Sequence, residues 1–142
     1  KVDCYILHSH ISIPNFDNND KTELKEGMVV AIEPFATNGI GLVKEGKPSS
    51  NYRLHNPKPV RDTISREVLT FIQKEFVTLP FAKRHLIKKF PISKVNFALS
   101  SLEKQGIIYQ YPQLPEKQEG CLVSQHEHTI YISEKSIVLT KV

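Results

Sequence analysis

The hydrophobic period of this chain changes twice along its length. Up to about residue 56, apolar residues come in short extended runs; from Asp62 they recur mostly at spacings of three and four; after about residue 118, short β-branched runs return. This order constrains the fold more than any single motif, because neither extended zone alone could bury much core in a chain of 142 residues. The reading is an α+β chain: residues 1–56 and 118–142 form one sheet-bearing region, and residues 57–117 are a helical subdomain inserted into it.

In the first zone, strands are expected over Tyr5 to Ile13 and over Gly27 to Phe35, with polar loops over Asn15 to Lys25 and over Lys44 to Pro59. The five consecutive apolar residues Met28 to Ile32 predict a strand buried on both faces. Asp62 or Thr63 can cap a first helix with a stripe of Ile64, Val68, Leu69, Ile72 and Phe76. Pro80 suits the first turn of a second helix carrying Phe81, Ala82, Leu86, Ile87 and Phe90, which Pro91 stops. Ser93 is expected to cap a third helix, with Val95, Ala98, Leu99 and Leu102 inward and Gly106 in the left-handed position that ends it. An extended piece, Ile107 to Pro112, follows, giving the helix, helix, helix, strand order of a winged-helix-like unit. The last strands are expected at 120–124, 128–133 and 136–140, in one sheet with the first zone.

Composition removes several classes. With 39% hydrophobic residues the chain should fold, and no run of about 18 apolar residues or basic-then-apolar leader is present, so a soluble cytoplasmic protein is expected. Cys4 and Cys121 are too few for a disulfide framework and read as free thiols. The net charge of +4 is concentrated: residues 57–117 carry eleven Lys and Arg against five Asp and Glu. A basic face can bind nucleic acid, but without a base-reading or stacked-aromatic motif it reads first as a solvated surface. The chain starts on Lys1 inside a strand-like run, which suggests a fragment or a processed chain.

Two carboxylates stand out. Glu33 ends the apolar Met28 to Ile32 run, and Glu127 precedes the strand His128 to Ser133. Ionised groups buried in such runs are normally paired or bound to a metal. Strand alternation places Glu33 with Val29 and Ala31, and Glu127 with Thr129 and Tyr131. Two carboxylates facing one cavity would suit a hard or borderline divalent cation; pairing of each with a nearby Lys or Arg accounts for them equally well. His8 with His10, and His126 with His128, form i, i+2 pairs that could chelate a metal, although strand histidines are more often hydrogen-bonded structural residues. Alternation also turns Glu127 away from His126 and His128.

Three motifs make a family legible: Leu7-His8-x-x-Ile11-Ser12-Ile13-Pro14-Asn15, Leu24-Lys25-Glu26-Gly27-Met28-Val29-Val30-Ala31-Ile32-Glu33-Pro34-Phe35-Ala36-Thr37, and Gln125-x-Glu127-His128-Thr129-Ile130. They resemble the C-terminal part of the catalytic domain of type 2, archaeal-like methionine aminopeptidases. Thr78-Leu79-Pro80-Phe81-Ala82-x-Arg84 and Tyr109-x-Tyr111-Pro112-x-Leu114 resemble the helical insertion of that type. The resemblance covers essentially the whole chain, in order.

The resemblance implies the C-terminal half of a pita-bread, creatinase/aminopeptidase-like fold, whose complete cleft holds two divalent ions (Co, Mn, Fe or Zn) on two Asp, one His and two Glu. Glu33 matches the glutamate bound to one ion and Glu127 the one bridging both; His8 matches a histidine beside the metals that contacts substrate, and Tyr111 a residue lining the methionine pocket. Such a site activates water and polarises the scissile carbonyl. The two aspartates and the metal-binding histidine of the family precede Lys1, so two of five ligands lie in this chain. The isolated chain is therefore expected to be inactive, and its first partner to be the N-terminal half of the same enzyme, with nascent polypeptide as substrate. His10 and His126 replace residues of other types and inherit no ligand role. The rival reading is a non-enzymatic pita-bread relative that binds protein or RNA; retention of Glu33, Glu127 and His8 argues for the enzyme. Nucleic-acid binding by the basic segment is disfavoured, because that segment resembles an insertion that shapes the substrate pocket.

Overall fold

A computed structural model describes residue 5, residue 12 and residues 14–141. In chain order the elements are β1 (Val29–Ile32), β2 (Phe35–Thr37), β3 (Pro48–Leu54), α1 (Thr63–Glu75), β4 (Phe81–Ala82), α2 (Lys83–Ile87), α3 (Ile92–Lys104), β5 (Ile108–Pro112), β6 (Val123–Gln125), β7 (His128–Tyr131) and β8 (Ile137–Val138). The chain forms two compact units, Glu45–Gln113 and the remainder on either side of it. The fold is α+β, and among the described residues no helix is long and apolar enough to cross a membrane.

The Glu45–Gln113 unit is a three-stranded antiparallel sheet, β4-β3-β5, with three helices. Asp62 caps α1 by accepting from Ser65 N at 2.7 Å, which satisfies one of the helix's orphan N–H groups. The inward stripe of α1 is Ser65, Val68, Leu69 and Ile72. Ile64, expected in that stripe, is exposed, since the face that meets α3 lies one position further round the helix. Val68 and Ile72 share one buried cluster with Val95, Leu99 and Leu102 of α3, and Phe81, Leu86 and Ile107 are among its other members. Burying one such side chain stabilises the fold by about 1.5–3 kcal/mol relative to leaving it in water.

Three expectations for this unit are corrected. The polar loop expected from Lys44 to Pro59 contains β3, the central strand; Pro48 stands at its first residue, where no ladder donor is needed, and Tyr52 is buried against Phe81 with ring centroids 5.8 Å apart. Phe81 and Ala82 belong to β4 instead of the second helix, because pairing with Tyr52 and Asn51 outweighs their helical spacing. Ser93 does not cap α3: the helix begins at Ile92 on Pro91, whose ring fixes φ at −56°. The C-terminus of α3 is as expected. Gly106, at φ +66°, donates to Glu103 O at 2.8 Å, and Ile107 donates to Leu102 O at 2.9 Å, a full Schellman closure.

In the other unit β1 pairs with β7, and β7 with β8, all antiparallel; β2 pairs with β6. The last zone thus joins the first in one set of ladders, as its β-branched runs imply. The expectation that Met28 to Ile32 is buried on both faces is not met. Val30, 2% exposed, is the single fully buried hydrophobic residue of this unit among the described residues, and Ile32 is 37% exposed, because no described element covers both faces of the sheet. The unit boundaries fall at 44/45 and 113/114, where the composition had suggested 56/57 and 117/118. The shift arises because β3 joins the helices, while residues after Gln113 return to the strands: Lys44 N donates to Pro115 O at 3.0 Å and Lys117 N to Leu42 O at 2.6 Å. The strand expected over Tyr5 to Ile13 lies almost wholly outside the described residues.

Candidate metal centre

β1 runs into β2, and β6 into β7, across a two-residue gap in each strand, Glu33-Pro34 on one side and His126-Glu127 on the other. Ile32 pairs with His128 before the gap and Phe35 with Gln125 after it, so the register is continuous. Glu33 therefore lies opposite Glu127. Bonds from Ile132 N to Met28 O at 2.8 Å and from His126 N to Pro34 O at 3.2 Å mark the even-numbered positions of β1 as the hydrogen-bonded pairs. The Glu33/Glu127 position is then a non-hydrogen-bonded pair, the kind that brings side chains closest, with Cβ atoms about 4.5–5.5 Å apart.

The gap has a local cause. Pro34 has no N–H, so it cannot return the bond it accepts from His126, and the ladder lapses for two residues. The Asn15 amide straddles the proline: Nδ2 donates to Glu33 O, and Oδ1 accepts from Phe35 N, both at 3.4 Å. The Glu33 carboxylate accepts from Gln125 Nε2 at 2.7 Å on Oε2. Among the described residues no basic side chain forms an ion pair with Glu33 or Glu127; the ion pair found there joins Lys94 to Glu67.

Both carboxylates are exposed in this chain, which corrects the expectation that each is buried in its strand. Desolvation is therefore not the force acting on the pair. Two like charges directly opposite on a sheet repel, and a divalent cation on their oxygens removes that repulsion. The donor set of two facing carboxylates without a competing ammonium or guanidinium fits such an ion. Among the described residues no group of three or more His, Cys, Asp and Glu converges to hold one.

The histidines on either side of Glu127 bond elsewhere. His126 Nε2 and His128 Nε2 lie 3.0 Å apart, and His128 Nδ1 is 3.0 Å from Thr140 Oγ1. Alternation puts this hydrogen-bonded cluster on the face away from Glu127. His8 and His10 lie outside the described residues, as does Cys4; Cys121 is a free thiol. Tyr111 is half-buried on β5, with its ring edge-on to Tyr109 at 5.3 Å.

One acid was missed by sequence reasoning. Glu116 is 3% exposed, and the loop after β2 wraps its carboxylate: Thr37 Oγ1 donates at 2.6 Å, Gly41 N and Leu42 N each at 3.3 Å, and Lys117 N at 3.1 Å. The Thr37 hydroxyl, aided by the Gln118, Leu42 and Gly41 N–H groups, lowers its pKa from the ordinary glutamate value, against the opposing effect of burial. A Cβ at Gly39 would sit 2.6 Å from Glu116 Cγ, so only glycine lets the loop close this tightly. The signal in the sequence was the Gly39-x-Gly41 spacing; its partner, 75 residues from Gly41, left none.

No protein-family model matches the chain. It is 45% identical to the methionine aminopeptidase of Pyrococcus abyssi over 141 residues, which is 99% of this chain and 48% of that protein. It is 44% identical to the methionine aminopeptidase of Archaeoglobus fulgidus, over 96% of this chain and 45% of the relative. Methionine aminopeptidase 2-3 of Neosartorya fischeri is 40% identical over 90% of the chain and 29% of its own length. Among solved structures, a thermophilic Arx1 superposes with a TM-score of 0.62 at 24% identity, covering 82% of this chain and 31% of that one.

The Arx1 likeness, with the mixed helix and sheet content, assigns the fold to the pita-bread class. Within it, the chain is similar over nearly its whole length to methionine aminopeptidases, mostly archaeal and type 2, and matches the C-terminal part of those relatives. It spans about half the length of the archaeal relatives it matches.

Proposed function

We propose that this chain is the C-terminal half of the catalytic domain of a metal-dependent methionine aminopeptidase, acting in the cytoplasm to remove the initiator methionine from nascent proteins. One observation carries the reading: Glu33 and Glu127 face each other in a continuous register with no basic partner among the described residues. In the working site Glu33 and Glu127 would hold the divalent metal, and His8 and Tyr111 would contact the substrate, Tyr111 in the methionine pocket. The bound ions supply polarisation of the scissile carbonyl and activation of the attacking water. The metal identity follows from availability as much as from ligands, since carboxylates and imidazole accept several first-row ions.

The remaining ligands come from an N-terminal half, supplied as a second chain or as an uncut precursor. That half also covers the apolar residues left in water here, such as Phe35 at 47% and Leu122 at 76% exposure. The Glu45–Gln113 unit is the type 2 insertion, with a winged-helix-like run of helices ahead of β5. The second reading is a non-enzymatic pita-bread relative that binds protein or RNA; the facing acids favour the enzyme.

The test is reconstitution. Mixed with its N-terminal complement and Mn²⁺ or Co²⁺, the chain releases methionine from Met-Ala or Met-Gly peptides, and neither half does so alone. A folded, metal-loaded mixture that leaves both peptides intact refutes the reading.

A further inference from the structure

We infer that Gln125 is a positioning residue for the Glu33 carboxylate, an inference that rests on the metal reading above. Gln125 lies two residues before Glu127, hence on the same strand face, and diagonal to Glu33 across the ladder. Its Nε2 donates to Glu33 Oε2 at 2.7 Å, which restrains the carboxylate's rotation and leaves Oε1 as its ligating oxygen. The residue type matters. A Lys or Arg here would neutralise Glu33 and compete with a cation for it, whereas a neutral amide orients the acid and leaves its charge intact.

The backbone on either side is held in the same way. The Asn15 amide bonds Glu33 O and Phe35 N, which stand at non-hydrogen-bonded positions of the register and have no ladder hydrogen-bond partner in β6 or β7. Glu33 is thus fixed at its main chain by one neutral amide and at its side chain by another. An exposed hydrogen bond of this kind adds little to folding, because water offers both partners an equivalent bond. Its consequence lies in metal affinity, where partners that orient a ligand are worth about 10- to 100-fold.

The experiment uses the chain assembled with its N-terminal complement and reads Mn²⁺ affinity by titration calorimetry alongside the metal-free thermal midpoint. Gln125→Met keeps the length and removes the donor; Gln125→Ala removes both; Glu33→Gln reports on the metal reading itself. Both Gln125 variants are expected to bind Mn²⁺ about 10- to 100-fold more weakly with an unmoved metal-free midpoint. If Glu33→Gln weakens Mn²⁺ binding but Gln125→Met stays within about twofold of the parent, the positioning role is overturned and the metal reading stands. A loss of affinity matched by a loss of metal-free stability makes Gln125 scaffold, and overturns the role as well. Unchanged binding in Glu33→Gln overturns the metal reading and this inference with it.

Discussion

Glu33 and Glu127 occupy opposite positions of one antiparallel register, on the side-chain-close kind of pair, and share the sign of their charge. Directly opposed like charges on a sheet cost roughly 0.2–1 kcal/mol. Neutralising one of them should therefore stabilise the metal-free chain while destroying the proposed metal site. Glu127→Gln is expected to raise the metal-free urea midpoint slightly, with a gain that shrinks as salt screens the repulsion. In the reconstituted enzyme the same substitution should abolish turnover. A lower midpoint in the variant, or unchanged turnover, would contradict the geometry or the ligand role respectively.

Glu116 predicts a pH effect in the acid range. Its folded-state pKa lies below the ordinary glutamate value, because Thr37 foremost, with the Gln118, Leu42 and Gly41 N–H groups, bonds the ionised form. The unfolded chain therefore takes up the proton first as pH falls. The stabilisation from this group is complete above the ordinary glutamate range and is lost progressively as pH drops from there through the folded pKa. Denaturation of the parent and of Glu116→Gln, run in steps from about pH 6 to pH 3, should show the parent's advantage shrinking toward acid. A constant difference across that range would mean the carboxylate is not held ionised by the loop.

Much of this was legible in the sequence where a local rule and tertiary packing agree. Asp62 capping α1, Gly106 closing α3 and the return of the last strands to the first zone follow from cap chemistry, left-handed geometry and period. The misreadings in the β3–β4 sheet share one cause, which is pairing with distant residues. β3 is written in Pro, Ser and Asn, residues of turns, and becomes a central strand because Tyr52 and Leu54 meet Gln110 and Ile108. Phe81 has helical spacing and joins the same sheet. At the site, the residue types and face of Glu33 and Glu127 could be read from alternation, but not their pairing with each other, since register between strands 94 residues apart has no local signature. Their exposure was also illegible: an apolar run predicts a buried strand only when something in the same chain covers it.

The Glu45–Gln113 unit should fold alone. It holds all the fully buried hydrophobic residues found among the described residues except Val30. A fragment of residues 45–113 is expected to give helical circular dichroism and a cooperative urea transition, whereas the strand unit without it should not. Leu102, fully buried between α1 and α3, is the sensitive position: Leu102→Ala should cost about 2–5 kcal/mol through lost burial and the cavity left behind. A fragment without a cooperative transition would place part of its stability in residues outside 45–113.

Gly106 tests the turn that carries α3 into β5. At φ +66° a Cβ meets its own following carbonyl, a strain of roughly 1–2 kcal/mol for an ordinary residue. No other atom lies within 4 Å of the Cβ position, so backbone strain is the only penalty a small side chain incurs. Gly106→Ala should therefore lower the unfolding free energy by about that amount, with an unchanged dependence on urea concentration. Gly106→Asn should lose less, since asparagine tolerates the left-handed region. Because the Ile107 N–H that closes the turn also orders the start of β5, amide exchange at Ile107 should quicken in the alanine variant more than at Val68 in the middle of α1. Equal stability of the glycine and alanine forms would show that the helix can end in another conformation, and the register of β5 against β3 would then have to be set elsewhere.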